Sequence, residues 1–135
     1  MSEADNIALY RRLINDGVGV GRLDTLDEVL APGMVLPTVA PAAEPSIAGL
    51  KALNTAFRAA FPDLRATIDE VVANGDWVSA RLTWTGTNSG ELFGQPPTGK
   101  SVSVTEMEIV RCENGHIAEL RQVIDLPGLM AQLSP

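Results

Sequence analysis

Basic charge is scarce in this chain: 10 Lys and Arg stand against 17 Asp and Glu over 135 residues, for a formal net charge of -7. Binding along a phosphate backbone is driven by clustered cations releasing counterions, and no basic run exists here, so nucleic acid is not expected as a partner. Long apolar runs are missing as well. The charge-free apolar stretch Ala31 to Ala43 is too short to span a bilayer and holds Pro32, Pro37 and Pro41, so no membrane role is expected. The first residues, Met-Ser-Glu-Ala-Asp, lack the basic and apolar segments of a secretory signal, which makes the cytoplasm the expected compartment. A single cysteine, Cys112, precludes an intrachain disulfide and a thiolate metal cage. The single histidine, His116, directly follows a hairpin glycine and reads as an exposed turn residue. No Gly-x-Ser-x-Gly elbow occurs and no carboxylate-imidazole spacing suits a metal, so neither triad chemistry nor a metal or organic cofactor is expected.

What is present is the length and apolar content (45% hydrophobic) of one soluble domain spanning residues 1–135. Asp5 or Asn6 can cap a first helix whose apolar residues recur at helical spacing up to Gly17. Gly17-Val-Gly19-Val-Gly21 lacks the preceding strand of a dinucleotide fingerprint and reads as a flexible turn. Thr25-Leu-Asp-Glu28 is a capping box for a short second helix that Pro32-Gly33 would stop. Three prolines between Pro37 and Pro45 predict a surface loop, and Ser46 opens a longer helix that Pro62 closes. From Leu64 onward, runs rich in Val, Ile, Thr and Trp predict two hairpins around Asn74-Gly75-Asp76 and Glu113-Asn114-Gly115. The connection Asn88 to Lys100 is long, and such loops are often functional. Asp125 before Leu126-Pro127 carries an N-cap signature for a last short helix. Helices ahead of a meander of four main strands predict an α+β fold, with the helices on one face of a curved antiparallel sheet.

Polarity in the wrong place marks the candidate site. Alternation puts Glu106 and Glu108 on the same face as Val102, Val104 and Val110, so two carboxylates share an apolar face. The opposite face is mixed, and alternation alone leaves a solvated strand edge as the competing account. Arg81 lies mid-strand, either exposed or lining a wet cavity. With the second hairpin centred on Asn114, Glu106 falls near Gln122 and Glu108 near Leu120.

Phe57-Arg-Ala-Ala-Phe61-Pro62-Asp63-Leu64, Asn74-Gly75-Asp76-Trp77-Val78 leading to Arg81, Thr85-Gly86-Thr87-Asn88-Ser-Gly90, Pro96-Pro97-Thr98-Gly99-Lys100, Asn114-Gly115-His116-Ile117 and Asp125-Leu-Pro-Gly128-Leu129 form an ordered set of short motifs. This set resembles the SnoaL-like polyketide cyclase family from about Ser46 to the C-terminus. The resemblance implies the cone-shaped α+β barrel of the nuclear-transport-factor-like superfamily, with a curved sheet and N-terminal helices enclosing one pocket. It also implies a homodimer formed through the outer sheet face, whose apolar residues a lone domain would leave wet.

In the family, an acid/base Asp stands seven positions after the hairpin glycine, and here that position is Gln122. The family's pocket His, seven positions before the same glycine, becomes Glu108. A further His becomes Leu36, and Asn54 corresponds to an Asn of the long helix. Limonene-type epoxide hydrolases of this fold use an Arg and two Asp, of which only Arg81 has a counterpart. The resemblance therefore implies a cofactor-independent enzyme of secondary metabolism that cyclises or isomerises an apolar, polyketide-like small molecule. Glu108, Arg81 and Gln122 are the expected catalytic residues, with Glu108 transferring the proton. Glu106, Asn54, Leu36, Leu120 and Tyr10 are expected to bind substrate. A pocket that binds or shapes a ligand without proton transfer is the alternative, and hydrolysis of an epoxide a more distant one.

Overall fold

The computed structural model describes residues 1–37 and 44–135. Most of the expected proline loop lies outside the described residues. Helix α1 (Glu3–Leu13) begins at Ser2, whose hydroxyl accepts from the Asp5 amide while the Asp5 carboxylate accepts from the Ser2 amide. The cap is thus Ser2 rather than Asp5 or Asn6, because Ser with an acid three residues on closes a reciprocal capping box. Asn6 instead donates to the Gly75 carbonyl at 3.3 Å and Glu3 accepts from the Gly75 amide at 2.7 Å. The N-terminal helix is thereby pinned to the first hairpin turn.

A π-helical turn, Ile14–Val18, follows α1 and ends the helix at the glycine cluster. Here glycine is a steric requirement: a Cβ on Gly19 would lie 2.5 Å from the Ile14 carbonyl oxygen, which accepts the Gly19 amide. Helix α2 (Asp24–Val29) starts one residue ahead of Thr25, whose hydroxyl donates to the Asp16 carbonyl instead of capping. Pro32-Gly33 does not stop this helix into a loop. It belongs to strand β1 (Leu30–Val35), an edge strand, where a proline lacking its N–H is tolerated.

Helix α3 (Ile47–Ala60) is capped by the Ser46 hydroxyl, which accepts from the Gly49 amide at 3.0 Å. Strands β2 (Arg65–Asn74), β3 (Trp77–Thr87), β4 (Ser101–Glu113) and β5 (His116–Ile124) form the two expected hairpins, and α4 (Leu126–Leu133) closes the described chain. The sheet order is β1-β5-β4-β3-β2, with β1 parallel to β5, so the sheet has five strands where four were expected. The fold is α+β, a curved sheet wrapped on the helices. No described helix is long and apolar enough to cross a membrane.

Register decides what the sheet presents. The turn of the second hairpin holds only Asn114 and Gly115, and a bulge near Cys112 adds one residue to β5, so Glu108 pairs with Gln122 and Glu106 with Ile124. Both partners are shifted by two residues from the pairing expected for a turn centred on Asn114. Along β4, exposed and buried residues alternate from Ser101 to Val110, with Glu106 and Glu108 on the buried face.

Two apolar clusters result, one around Tyr10, Leu13, Leu26 and Val110 and another around Phe61, Leu64, Val104 and Leu129. The long 88–100 connection is organised by Asn88, whose carbonyl oxygen accepts from the amide and hydroxyl of Thr98, both at 2.9 Å, and whose amide donates to Gly90. Asp125 accepts from the Gly128 amide at 2.9 Å and caps α4. Asp125→Ala is expected to lower stability by about 1 kcal/mol, the usual magnitude for a lost cap. Asn88→Ala should cost about 2 to 3 kcal/mol, because it removes several hydrogen bonds that one buried side chain makes to order this connection. Urea unfolding of the two variants checks the order, and equal losses would contradict it.

Candidate functional site

Between the two clusters lies a cavity of about 380 Å³. Its walls come from α3, from the inner face of β3, β4 and β5, and from α4, which is what a curved sheet closed by helices provides. Leu50, Phe57, Val102, Val104, Leu120 and Leu129 supply apolar surface. Against that background stand the polar side chains of Glu106, Glu108, Gln122 and Asn54, with Thr85 beside them.

The two carboxyls are 5% and 6% exposed, and each is anchored at one oxygen. Glu108 accepts from the Tyr10 hydroxyl at 2.5 Å. Glu106 accepts from the Trp84 indole N–H at 2.9 Å. Burial pushes Glu106 well above the ordinary carboxylate range, the Glu108 charge pushes it further, and the Trp84 bond opposes both. Burial raises Glu108 to about 7 against the pull of Tyr10. The Tyr10 phenol is raised in turn, first by burial and then by the charge on Glu108, so it serves as a standing donor.

On the opposite wall, the Asn54 amide donates to the Val18 carbonyl at 3.0 Å, and its buried oxygen Oδ1 has no partner among the described residues. The glycine-rich turn therefore has a purpose the sequence did not disclose. It presents the carbonyl that orients Asn54, and Arg58 donates to the same carbonyl at 3.0 Å.

Of the residues expected in the site, Glu108, Glu106, Gln122, Asn54 and Leu120 line the cavity. Tyr10 stands behind the wall and touches the site through Glu108. Leu36 is buried in the larger apolar cluster and is not among the lining residues. The expectation for Arg81 is corrected. Arg81 pairs with Met107 across the sheet, which puts it on the outer face, where its guanidinium meets Glu70 at 2.9 Å and Asp69 at 3.4 Å. A period of two in β3 fixes this, since Arg81 lies between the buried Ala80 and Leu82. The one point of likeness to limonene-type epoxide hydrolases thus lies outside the cavity.

Sequence reasoning missed Trp84 and Phe93. Trp84 follows Leu82 on the inner face, and extending the β3–β4 register would have placed its indole beside Glu106. Phe93 sits in a tight turn with Gly94, both at positive φ (49° and 78°), and its ring meets Phe57 edge-on at 5.7 Å. A bulky residue at positive φ is strained, and here it sets an aromatic ring, 62% exposed, at the edge of the cavity.

The buried pair makes stability depend on pH. The folded chain keeps the Glu108 proton up to about 7, whereas an unfolded chain releases it near 4.5. Between these values the folded state binds more protons, so stability falls as pH rises through the window, by about 3 kcal/mol from Glu108 alone, and Glu106, raised by the same burial, adds to the decline. Urea midpoints of the wild type should decline across this range, and those of Glu106→Gln/Glu108→Gln should stay flat. A wild-type midpoint that rises from acid to neutral pH would refute the burial argument.

Comparison with known proteins places this geometry. The family described as SnoaL-like polyketide cyclase matches residues 8–133. The nogalonic acid methyl ester cyclase of Streptomyces nogalater is 31% identical over 121 residues, covering 84% of this chain and 86% of the relative. Among solved structures, TsrD from Streptomyces laurentii superposes with a TM-score of 0.79 at 29% identity, covering 99% of this chain and 98% of that one. AclR from Streptomyces galilaeus, put forward as a hydroxylase, reaches 0.86 at 30% identity, covering 98% and 82%. The match runs nearly end to end in sequence and in fold, and the chain belongs to the SnoaL-like polyketide cyclase family.

Proposed function

We propose that this protein is a cofactor-independent cyclase of secondary metabolism, acting in the cytoplasm on an apolar, polyketide-like small molecule by acid/base and electrostatic catalysis. The observation that carries the reading is the pair of buried carboxyls on an otherwise apolar cavity wall. A carboxylate with its proton affinity raised to about 7 is poised to take a proton from carbon and return it near neutral pH. The names of its relatives, cyclases of aklanonic and nogalonic acid methyl esters, support ring closure over hydrolysis. Gln122 faces Glu108 across the strands and supplies an amide that can orient a carbonyl.

Glu108→Gln keeps shape and hydrogen bonding but cannot exchange a proton. Turnover of nogalonic acid methyl ester, the compound for which one relative is named, should fall roughly a hundredfold or more while binding persists. Unchanged turnover would favour the second reading, a shape-controlled or purely binding pocket, for which the replacement of the family Asp by Gln122 speaks.

We also propose a homodimer through the outer sheet face. Val72, Met107 and Val123 are 65%, 51% and 74% exposed there, and Trp77 and Ile109 are partly exposed beside them. Light scattering should give twice the 14.3 kDa chain mass, and a constant monomer over a wide concentration range would contradict it.

A further inference from the structure

Glu106 and Glu108 project from one face of β4, about 7 Å apart along the strand, into the same cavity. The polar groups facing them are all neutral: Tyr10 from α1, Asn54 from α3, Trp84 from β3 and Gln122 from β5. No Lys, Arg or His lines the cavity among the described residues. Arg58 is not among the lining residues and donates through its two terminal nitrogens to the Leu64 and Val18 carbonyls, and Arg81 is paired on the outer face. Two carboxylates on a dry wall without a cation repel strongly, so the pair holds a proton. Its location follows from the donors. A phenolic O–H at 2.5 Å supports negative charge on Glu108 better than an indole N–H at 2.9 Å supports it on Glu106.

Resting on the cyclase reading above, we infer that Glu106 and Glu108 act as a one-proton pair, Glu108 as the carboxylate that removes a proton from carbon and Glu106 as the carboxylic acid that protonates the new alkoxide. The step balances within the substrate and the pair. Glu108 takes a proton from the carbon beside a ketone, and the released electron pair forms the new C–C bond to a second carbonyl carbon. The π pair of that carbonyl moves to its oxygen, which accepts the Glu106 proton. One proton transfer from Glu108 back to Glu106 resets the pair, and product and substrate are isomers, so no co-reactant is consumed. Tyr10 is a positioning residue that keeps Glu108 ionised. The substrate class follows: a neutral carbonyl compound, since no Lys, Arg or His among the described residues lines the cavity to receive an anion. Burial raises the proton affinity of both carboxyls, that of Glu106 well above the ordinary range, in keeping with these roles.

Infrared spectroscopy of the ligand-free protein, about one unit above the Glu108 value of about 7, locates the proton without any substrate. One carbonyl band of a protonated carboxylic acid is expected in the wild type. It should vanish in Glu106→Gln, persist in Glu108→Gln and in Trp84→Phe, and be joined by a second in Tyr10→Phe, where Glu108 loses its donor. Absence of the band from the wild type, or its survival in Glu106→Gln, would overturn the pair. With nogalonic acid methyl ester, Glu106→Gln should lower cyclisation roughly a hundredfold, and undiminished cyclisation would overturn the proton-donating role. A wild type that shows the band but cyclises neither this ester nor the aklanonic ester of its other relatives would refute the cyclase reading and leave the location of the proton standing.

Discussion

A carboxyl group leaves water only when something in the protein compensates it, and the hydroxyl of Tyr10 donating at 2.5 Å to Glu108 is that compensation at the centre of this molecule. The bond joins residues 98 positions apart and ties the N-terminal helix to the middle of β4. Its geometry requires α1 to lie across the sheet, which the Ser2 capping box and the contacts of Glu3 and Asn6 with the first hairpin turn secure. The same fully buried tyrosine belongs to the larger apolar cluster, so the anchoring of the acid and the packing of the core are one arrangement.

The opposite wall is built by a similar economy. The glycine-rich turn after α1 compresses the backbone enough for the Val18 carbonyl to receive both Asn54 and Arg58. Asn54 is held by its donor end and left with an unused acceptor, and the cavity between this amide and the carboxyl pair is walled by aliphatic and aromatic side chains. The family fold supplies the enclosure, and within it this chain sets two acids on β4 and an amide on β5.

Much of this was legible from local pattern. The cap of α3 at Ser46, the two hairpins and the cap at Asp125 rest on short-range rules of dihedral preference and hydrogen bonding, which act over a few residues whatever the rest of the chain does. β1 was not legible, because Pro32-Gly33 reads as a stop and becomes a strand only when β5 offers an edge to pair with. The hairpin register was missed by two residues, one because the turn holds two residues rather than centring on Asn114 and one because the bulge near Cys112 leaves no signature in composition. Arg81 was misplaced for a related reason: a lone polar residue in a strand is compatible with either face until the neighbouring strands fix which face is covered.

The sequence by itself determined the periodicities, namely that Glu106 and Glu108 share a face with valines, that helices precede strands, and that a metal-ligating cluster of thiolates or imidazoles cannot be assembled from one cysteine and one histidine. These follow from backbone geometry and residue inventory, which are local properties. Only the tertiary structure decided that this face is the buried one, that Tyr10 and Trp84 are the donors reaching the two acids, and that Asn54, tied to the Val18 carbonyl, keeps a buried oxygen without a partner among the described residues. Those outcomes depend on contacts between segments far apart in the chain, where burial and electrostatic coupling arise from how elements pack, and no window along the sequence contains both partners.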